Sequence, residues 1–229
     1  MRVSPYFDEK QLRSTVSRGG HREAIGGLWE EMGQLQIEFL LAQGLSPAHR
    51  LLDVGCGALR FGVKAVDYLD AGHYYGIDIS ESLIAAGYER ELDDAQRVRL
   101  PRRNLHATAN FDLSFLDAGI DMALAQSVFT HLPFNHIRRC LDAVAGRLVP
   151  GGRLYATAWI VDDAWPVAQP HDWAGTIDGQ PIRTFDIADP YHYRLADFAH
   201  AVEGLPLDLE WMGDWGHPRG LPMMVFHRR

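Results

Sequence analysis

Two glycines and two carboxylates mark the part of this sequence best suited to chemistry. Leu51-Leu52-Asp53-Val54-Gly55-Cys56-Gly57-Ala58-Leu59-Arg60 reads as a strand, a glycine turn and a helix start. Glycine lets a backbone come close to a ligand, and the first turn of a helix offers N–H groups with no partner inside the helix. The next strand ends in Tyr75-Gly76-Ile77-Asp78-Ile79, with Asp78 lying 21 residues beyond Gly57. At that spacing a carboxylate can accept hydrogen bonds from both hydroxyls of a ribose. Together the turn and the acid point to a cofactor that carries a nucleoside. A dinucleotide fingerprint would place a third glycine where Arg60 stands, and Gly62 comes two positions later. Asp53, just before the turn, suits an ammonium group or an ordered water better than a pyrophosphate.

These groups need elements to hold them. Short apolar runs at 50–54, 73–79, 104–109, 120–125 and 153–159 read as strands. Between them, 59–69, 81–92 (capped by Ser80) and 134–148 have helical spacing, and Pro150-Gly151-Gly152 reads as a turn. Such alternation argues for crossover units, a parallel sheet and an α/β fold. A possible short helix at 8–17 precedes a longer one over 22–43, with apolar Ile25, Leu28, Met32, Leu35 and Phe39 and a stop at Gly44. A helix over 194–202 and strands at 207–213 and 223–227 close the chain. Residues 160–193 break the rhythm, and a stretch of that length is expected to be functional or to form extra structure. The expected organisation is a single domain over 1–229, with a helical cap at 1–46 and an insertion at 160–193.

Composition narrows the function classes. The chain has 229 residues, 47% of them apolar and 23% charged, enough for one self-sufficient core. A formal charge of −8 disfavours nucleic acid as a partner. The local basic cluster Arg97, Arg99, Arg102 and Arg103 is read as a solvated loop after a helix. No apolar run approaches the ~18 residues of a membrane span, and the opening MRVSPYFDEK lacks a signal-peptide pattern. Two cysteines, Cys56 and Cys140, make neither a disulfide framework nor a metal motif. The expectation is a cytoplasmic protein with no metal, no nucleic-acid or membrane partner, and an oligomeric state left open.

The run LLDVGCGALRFG, then YYGIDIS, DMALAQSVFTHLP and LVPGGRLY, resembles the class I S-adenosylmethionine-dependent methyltransferases, in the family's order from Leu51 to Tyr155. The C-terminal Gly213–Gly220 run, an Asp-Pro-Tyr-His-Tyr segment at 189–193 and the 26–36 segment look like a bacterial small-molecule or sugar-type subgroup. The resemblance implies a Rossmann-like, mostly parallel seven-stranded sheet of order 3-2-1-4-5-7-6, its last-placed strand antiparallel, with helices on both faces. It implies S-adenosylmethionine as cofactor. Asp53, Gly55, Cys56 and Gly57 would surround the methionine part, Asp78 would hold the ribose, and Ile79 would lie under the adenine. Asn110 and Phe111 fall near the adenine-facing loop, while Gln126, Ser127 and Val128 would face the methionine part and the methyl. Arg60 departs from the family pattern; it either reaches the cofactor carboxylate or caps the turn. A leading helix would lid the cofactor with Trp29 and Gln34, or Trp29 is a core residue.

Methyl transfer aligns a nucleophile with the sulfonium methyl and often removes a proton, a task suited to histidine near neutral pH. Of eleven histidines, His131 is best placed, just past the fourth strand at the carboxyl edge of the sheet. His192 is the second candidate base, and His136 is expected to be structural. Tyr191 and Tyr193 around His192, with Trp215 and His217 in the closing hairpin, are candidate substrate contacts. The expected function is O- or N-methylation of a small molecule or sugar. Two alternatives share the scaffold: a lyase or cyclase releasing methylthioadenosine, and a non-catalytic S-adenosylmethionine-binding module.

Overall fold

The structure, a computed structural model, describes residues 4–116, 119–177 and 179–229. Its centre is a seven-stranded sheet. Strands β1 (Leu51–Val54), β2 (Tyr74–Asp78), β3 (Leu105–Ala107), β4 (Ile120–Ala125) and β5 (Leu148–Thr157) are parallel to their neighbours, in the order β3-β2-β1-β4-β5. Strands β6 (Trp159–Val161), β7 (His171–Ile177), β8 (Gln180–Thr184) and β9 (His192–Arg194) lie outside it. The chain then returns through β10 (Leu207–Gly213) and β11 (Met223–Arg228). β11 inserts antiparallel between β5 and β10. Counted along the chain, the sheet's own strands follow the order 3-2-1-4-5-7-6; β10 and β11 take its sixth and seventh places because four other strands intervene.

Residues alternate between the two sheet faces, and each face has its own core. Leu52, Val54, Tyr75, Ile77, Ala123 and Ala125 pack with helices α7 (Phe134–Ala145) and α8 (Leu195–Ala201). Leu51, Tyr74, Met122 and Leu124 pack with α3 (Trp29–Ala42) and α4 (Gly62–Tyr68) on the other face. This double burial leaves all four residues of β1 buried. It also forces Asp53, on the α3 face, to find a partner inside the protein. The remaining helices are α1 (Glu9–Ser17), α2 (His21–Ala24), α5 (Glu81–Ala86) and α6 (Asp94–Arg99).

Several sequence expectations are corrected. The helix expected over 22–43 breaks between α2 and α3, where Gly26, Gly27 and Leu28 take positive φ. The two glycines make that left-handed passage cheap, and its carbonyls accept from Arg60 and Arg219. The helix expected from residue 59 begins at Gly62, after Leu59 at φ +65°. The helix expected over 81–92 keeps α geometry only to Ala86 and ends in a wider π turn. Arg97, Arg99 and Arg102 do not belong to a solvated loop: α6 and the turn after it place them against the chain's own carbonyls. Arg99 Nε donates to Val66 O at 2.9 Å and Arg102 Nη1 to Leu105 O at 2.6 Å. β5 starts at Leu148, so residues 150–152 form an irregularity within a strand, where pairing with β4 shifts. The 160–193 stretch builds the β7–β8 hairpin, with Trp159, Ile182 and Leu221 as a small core and Trp173 packed on it.

Candidate active site

A cleft of about 1060 Å³, counted out to its open mouth, lies at the carboxyl ends of β1, β2 and β4. One end is the glycine turn. Gly55 and Gly57 have φ of +76° and +51°. A Cβ on Gly55 would sit 2.4 Å from Val128 Cγ2, and one on Gly57 2.8 Å from Ile25 Cγ2. The positive φ and these close neighbours favour glycine at both positions, and both line the cleft.

Asp78 accepts hydrogen bonds from the Gly57 N–H at 2.9 Å and the Ser80 N–H at 2.8 Å. Each oxygen thus keeps capacity for one further donor. Burial pushes its carboxyl up to about 6, against the lowering effect of those N–H groups. Asp53 accepts from the Tyr74 hydroxyl at 2.6 Å, and burial pushes it up to about 7. An acid whose folded pKa is raised stabilises the fold fully below its unfolded value and loses that stability as pH rises through the folded value. Replacing Asp53 by asparagine is therefore expected to stabilise the unliganded protein increasingly between about pH 4 and 7. Urea titrations of both proteins across that range check it; a constant difference would sink the assignment.

Gln126 gathers the groups around the other side of the turn. Arg60 Nη2 donates to its carbonyl oxygen at 3.1 Å, and Gln36 Nε2 does so at 3.4 Å. Arg60 Nη1 also donates to the carbonyls of Gly27 at 2.8 Å and Ile25 at 3.3 Å. Burial lowers Arg60 to about 10, so it remains a cation. Its Nε, and Oε1 of Gln36, are buried without a partner. Both residues line the cleft, and these orphaned polar atoms fit a ligand with charged amino and carboxylate groups. Arg60 thus fastens the cap to the turn, and it lies close enough for a ligand carboxylate as well.

The mouth is formed by His131, Leu132 and His136 after β4, by Phe111 after β3, and by Tyr6 and Phe7 from the N-terminal segment. His131 Nδ1 lies 2.6 Å from Asp189 Oδ1. A carboxylate can only accept there, so the imidazole proton sits on Nδ1 and the Nε2 lone pair is free. The Tyr6 ring meets the His131 ring edge-on at 4.9 Å, and burial, seconded by Asp78 and Asp189, pushes its phenol up to about 12. Phe111 at φ +59° and Ser127 at φ +57° are non-glycine residues in left-handed conformations on this wall. Strain of that kind concentrates at functional sites.

Of the predicted site residues, Asp53, Gly55, Cys56, Gly57, Arg60, Asp78, Ile79, Phe111, Gln126, Ser127 and His131 line the cleft. The other seven do not. Trp29 packs on the cluster around Leu12 and Ala58, under the Arg22 guanidinium at 4.5 Å. Asn110 sits exposed in its loop, bound to Thr108 Oγ1 at 2.8 Å. Tyr191 and Tyr193 are buried in the α7–α8 core, where the Tyr193 hydroxyl donates to the Leu132 carbonyl. His192 pairs with Thr184 Oγ1 at 2.9 Å, and burial lowers it further from the charged form. Trp215 donates to the Leu221 carbonyl at 2.8 Å and packs on Phe39. His217 lies behind the wall, its Nε2 at 3.3 Å from the Gln126 amide, and burial lowers it to about 4. Sequence reasoning missed Tyr6, Phe7, Gln36 and Asp189. The aromatic pair in an otherwise polar N-terminus was the available signal for the first two.

Residues 52–154 match the family described as a methyltransferase domain. That stretch, a little under half of the chain, is similar to a methyltransferase domain. The chain shares its fold with solved structures. A magnesium protoporphyrin IX methyltransferase from Synechocystis, solved with S-adenosylmethionine bound, is 16% identical with a TM-score of 0.61, covering 97% of each chain. An amino pentose methyltransferase from Micromonospora echinaspora is 18% identical with a TM-score of 0.59, covering 93% of this chain and 97% of that one. A methyltransferase from Streptomyces caelestis is 13% identical with a TM-score of 0.63, covering 86% and 89%. At these identities the likeness establishes the fold. Among the described residues, no helix is long and apolar enough to cross a membrane, and no group of three His, Cys, Asp or Glu side chains is placed to hold a metal.

Proposed function

We propose that this protein transfers the methyl group of S-adenosylmethionine to a small-molecule acceptor, with His131 as general base and Asp189 as the group that orients it. The observation that carries the reading is the His131–Asp189 pair, 2.6 Å apart, at the mouth of a cleft whose floor is the glycine turn. When bound, the cofactor supplies a methyl group on a positively charged sulfur that leaves as a neutral thioether.

The chain's own residues do the rest. Asp78 is placed to accept from the ribose hydroxyls. Ile79 and Phe111 offer apolar surface on the adenine side. Arg60, Gln36, Gln126 and Asp53 surround the amino and carboxylate end, where both signs of charge find partners. His131 Nε2 takes a proton from the acceptor, and Asp189 steadies the imidazolium that forms. In this reading residues 1–46 and 160–193 complete a single domain over 1–229, the first as a cap on the cofactor and the second as the source of Asp189.

Purified protein incubated with S-adenosylmethionine and a panel of small acceptors, read by mass spectrometry, tests it. S-adenosylhomocysteine formed only with an acceptor is the expected result. Methylthioadenosine formed without one would replace the reading by a lyase or cyclase. Tight cofactor binding with no product from any acceptor would replace it by a binding module.

A further inference from the structure

We infer that His217 is a positioning residue for the cofactor site, acting through Gln126, whose amide turns over when a ligand carboxylate reaches Arg60. This rests on the reading that a methionine-bearing cofactor fills the glycine-turn end of the cleft, and it adds to that site a residue from behind its wall.

His217 is caught between two donors. Its Nδ1 accepts from the Arg219 N–H at 3.1 Å, and its Nε2 lies 3.3 Å from Nε2 of Gln126. The ring is buried, and burial, seconded by Arg219 and Arg60, lowers it to about 4, so it is neutral near neutral pH. A neutral imidazole has one lone pair and one N–H. It can accept at one nitrogen only; at the other, two N–H groups face each other. The Arg219 donor belongs to the backbone and is fixed. The Gln126 amide can turn about its last bond, and turned over it offers Oε1 to the His217 Nε2–H.

Arg60 holds the amide back. Oε1 of Gln126 accepts from Arg60 Nη2 at 3.1 Å and from Gln36 Nε2 at 3.4 Å. Turning the amide alone would set its NH2 against a guanidinium, and a bond to a cation outweighs one to a neutral imidazole. Arg60 Nε, however, is buried without a partner among the described residues. A carboxylate received there reverses the balance, because the guanidinium gains a charged acceptor and keeps the carbonyls of Ile25 and Gly27. The other neighbours adapt to the turned amide. The Ser127 hydroxyl, which accepts from Gln126 Nε2, can rotate and donate instead. Gln36, turning with Gln126, brings its own orphaned Oε1 to the Gln126 NH2.

The effect reaches the cap. His217 and Arg219 belong to one loop between β10 and β11, and Arg219 Nη2 donates to the Gly26 carbonyl at 3.0 Å. A carboxylate on Arg60 therefore gives this loop a hydrogen bond to Gln126, and the same loop holds the cap. The site discriminates against a cofactor that lacks its carboxylate by more than the Arg60 contact alone.

Two ligands test this: S-adenosylhomocysteine and the amine left by its decarboxylation, which differ by the carboxylate only. In proton–nitrogen correlation spectra of the wild type, a His217 ring N–H signal, assigned by through-bond correlation from the ring protons, is expected to become protected from exchange with S-adenosylhomocysteine and not with the amine. In calorimetric titrations, His217→Leu is expected to weaken S-adenosylhomocysteine binding about tenfold, as the loss of one buried hydrogen bond does, and to leave the affinity for the amine unchanged. The spectra need only the wild type, so they decide even if the variant does not fold. A His217 N–H equally protected with both ligands, or equal losses of affinity for both in the variant, would overturn the inference and leave the cofactor reading intact, because both ligands still bind. Wild-type protein that does not bind S-adenosylhomocysteine would overturn both.

Discussion

Asp78→Ala is expected to weaken S-adenosylhomocysteine binding by about 10²–10⁴-fold, because it removes two hydrogen bonds to an ionised acceptor at roughly 1.5–3 kcal/mol each. The same substitution releases the Gly57 and Ser80 N–H groups that the carboxylate holds, so the turn loses its anchor as well. Asp78→Asn keeps the shape and one acceptor oxygen, and should cost about tenfold. The pH dependence follows from burial. The carboxyl of the free protein titrates at about 6, so affinity should fall as pH drops through that value and level off above it. Calorimetric titration of wild type and both variants between pH 5 and 8 checks this, with circular dichroism to confirm folding. Alanine binding within threefold of wild type would remove Asp78 from the ribose site.

Loss of the base should be as large in rate as loss of Asp78 is in affinity. His131→Ala is expected to lower kcat by about 10²–10⁴-fold, the usual contribution of acid–base catalysis. Asp189→Asn can still accept from Nδ1–H but no longer offers a charge to the imidazolium; a loss of about 10–10² is expected, with KM little changed. The pH–rate profile separates the two roles. Wild type should show a pH dependence that is lost in His131→Ala and kept in Asp189→Asn. Neither change should alter S-adenosylhomocysteine affinity, since both residues stand at the mouth. A His131→Ala enzyme with more than a tenth of wild-type kcat would dismiss the base.

The glycine-turn end of the cleft was legible in the sequence because it is local. Asp53, Gly55, Gly57 and Arg60 sit in one strand–turn–helix, and Asp78 ends the next strand, so period and spacing alone bring them together. The seven strands were legible for the same reason, being short apolar runs between helices. The mouth of the cleft is assembled from distant parts of the chain. Asp189 meets His131 across 58 residues, and Tyr6 meets it across 125. No short-range pattern encodes such meetings. His192 drew attention in place of Asp189, three residues away, because an imidazole is the more conspicuous group; burial beside Thr184 makes it a structural residue instead. The glycines at 26 and 27 were visible, but the helical spacing of apolar residues ran straight across them.

The cap is clasped by three successive carbonyls: Arg60 binds those of Ile25 and Gly27, and Arg219, from the loop between β10 and β11, binds that of Gly26 at 3.0 Å. The stretch that matches the family, 52–154, ends well short of Asp189 and starts well after Tyr6 and Phe7. Inheritance can therefore act on the two halves separately. Drift in the leading segment or in the insertion would retune which acceptor is taken, while the donor chemistry stays under its own constraint. Grafting a relative's first two dozen residues, with their carbonyl clasp kept, would be a route to new acceptors that leaves the reaction itself untouched.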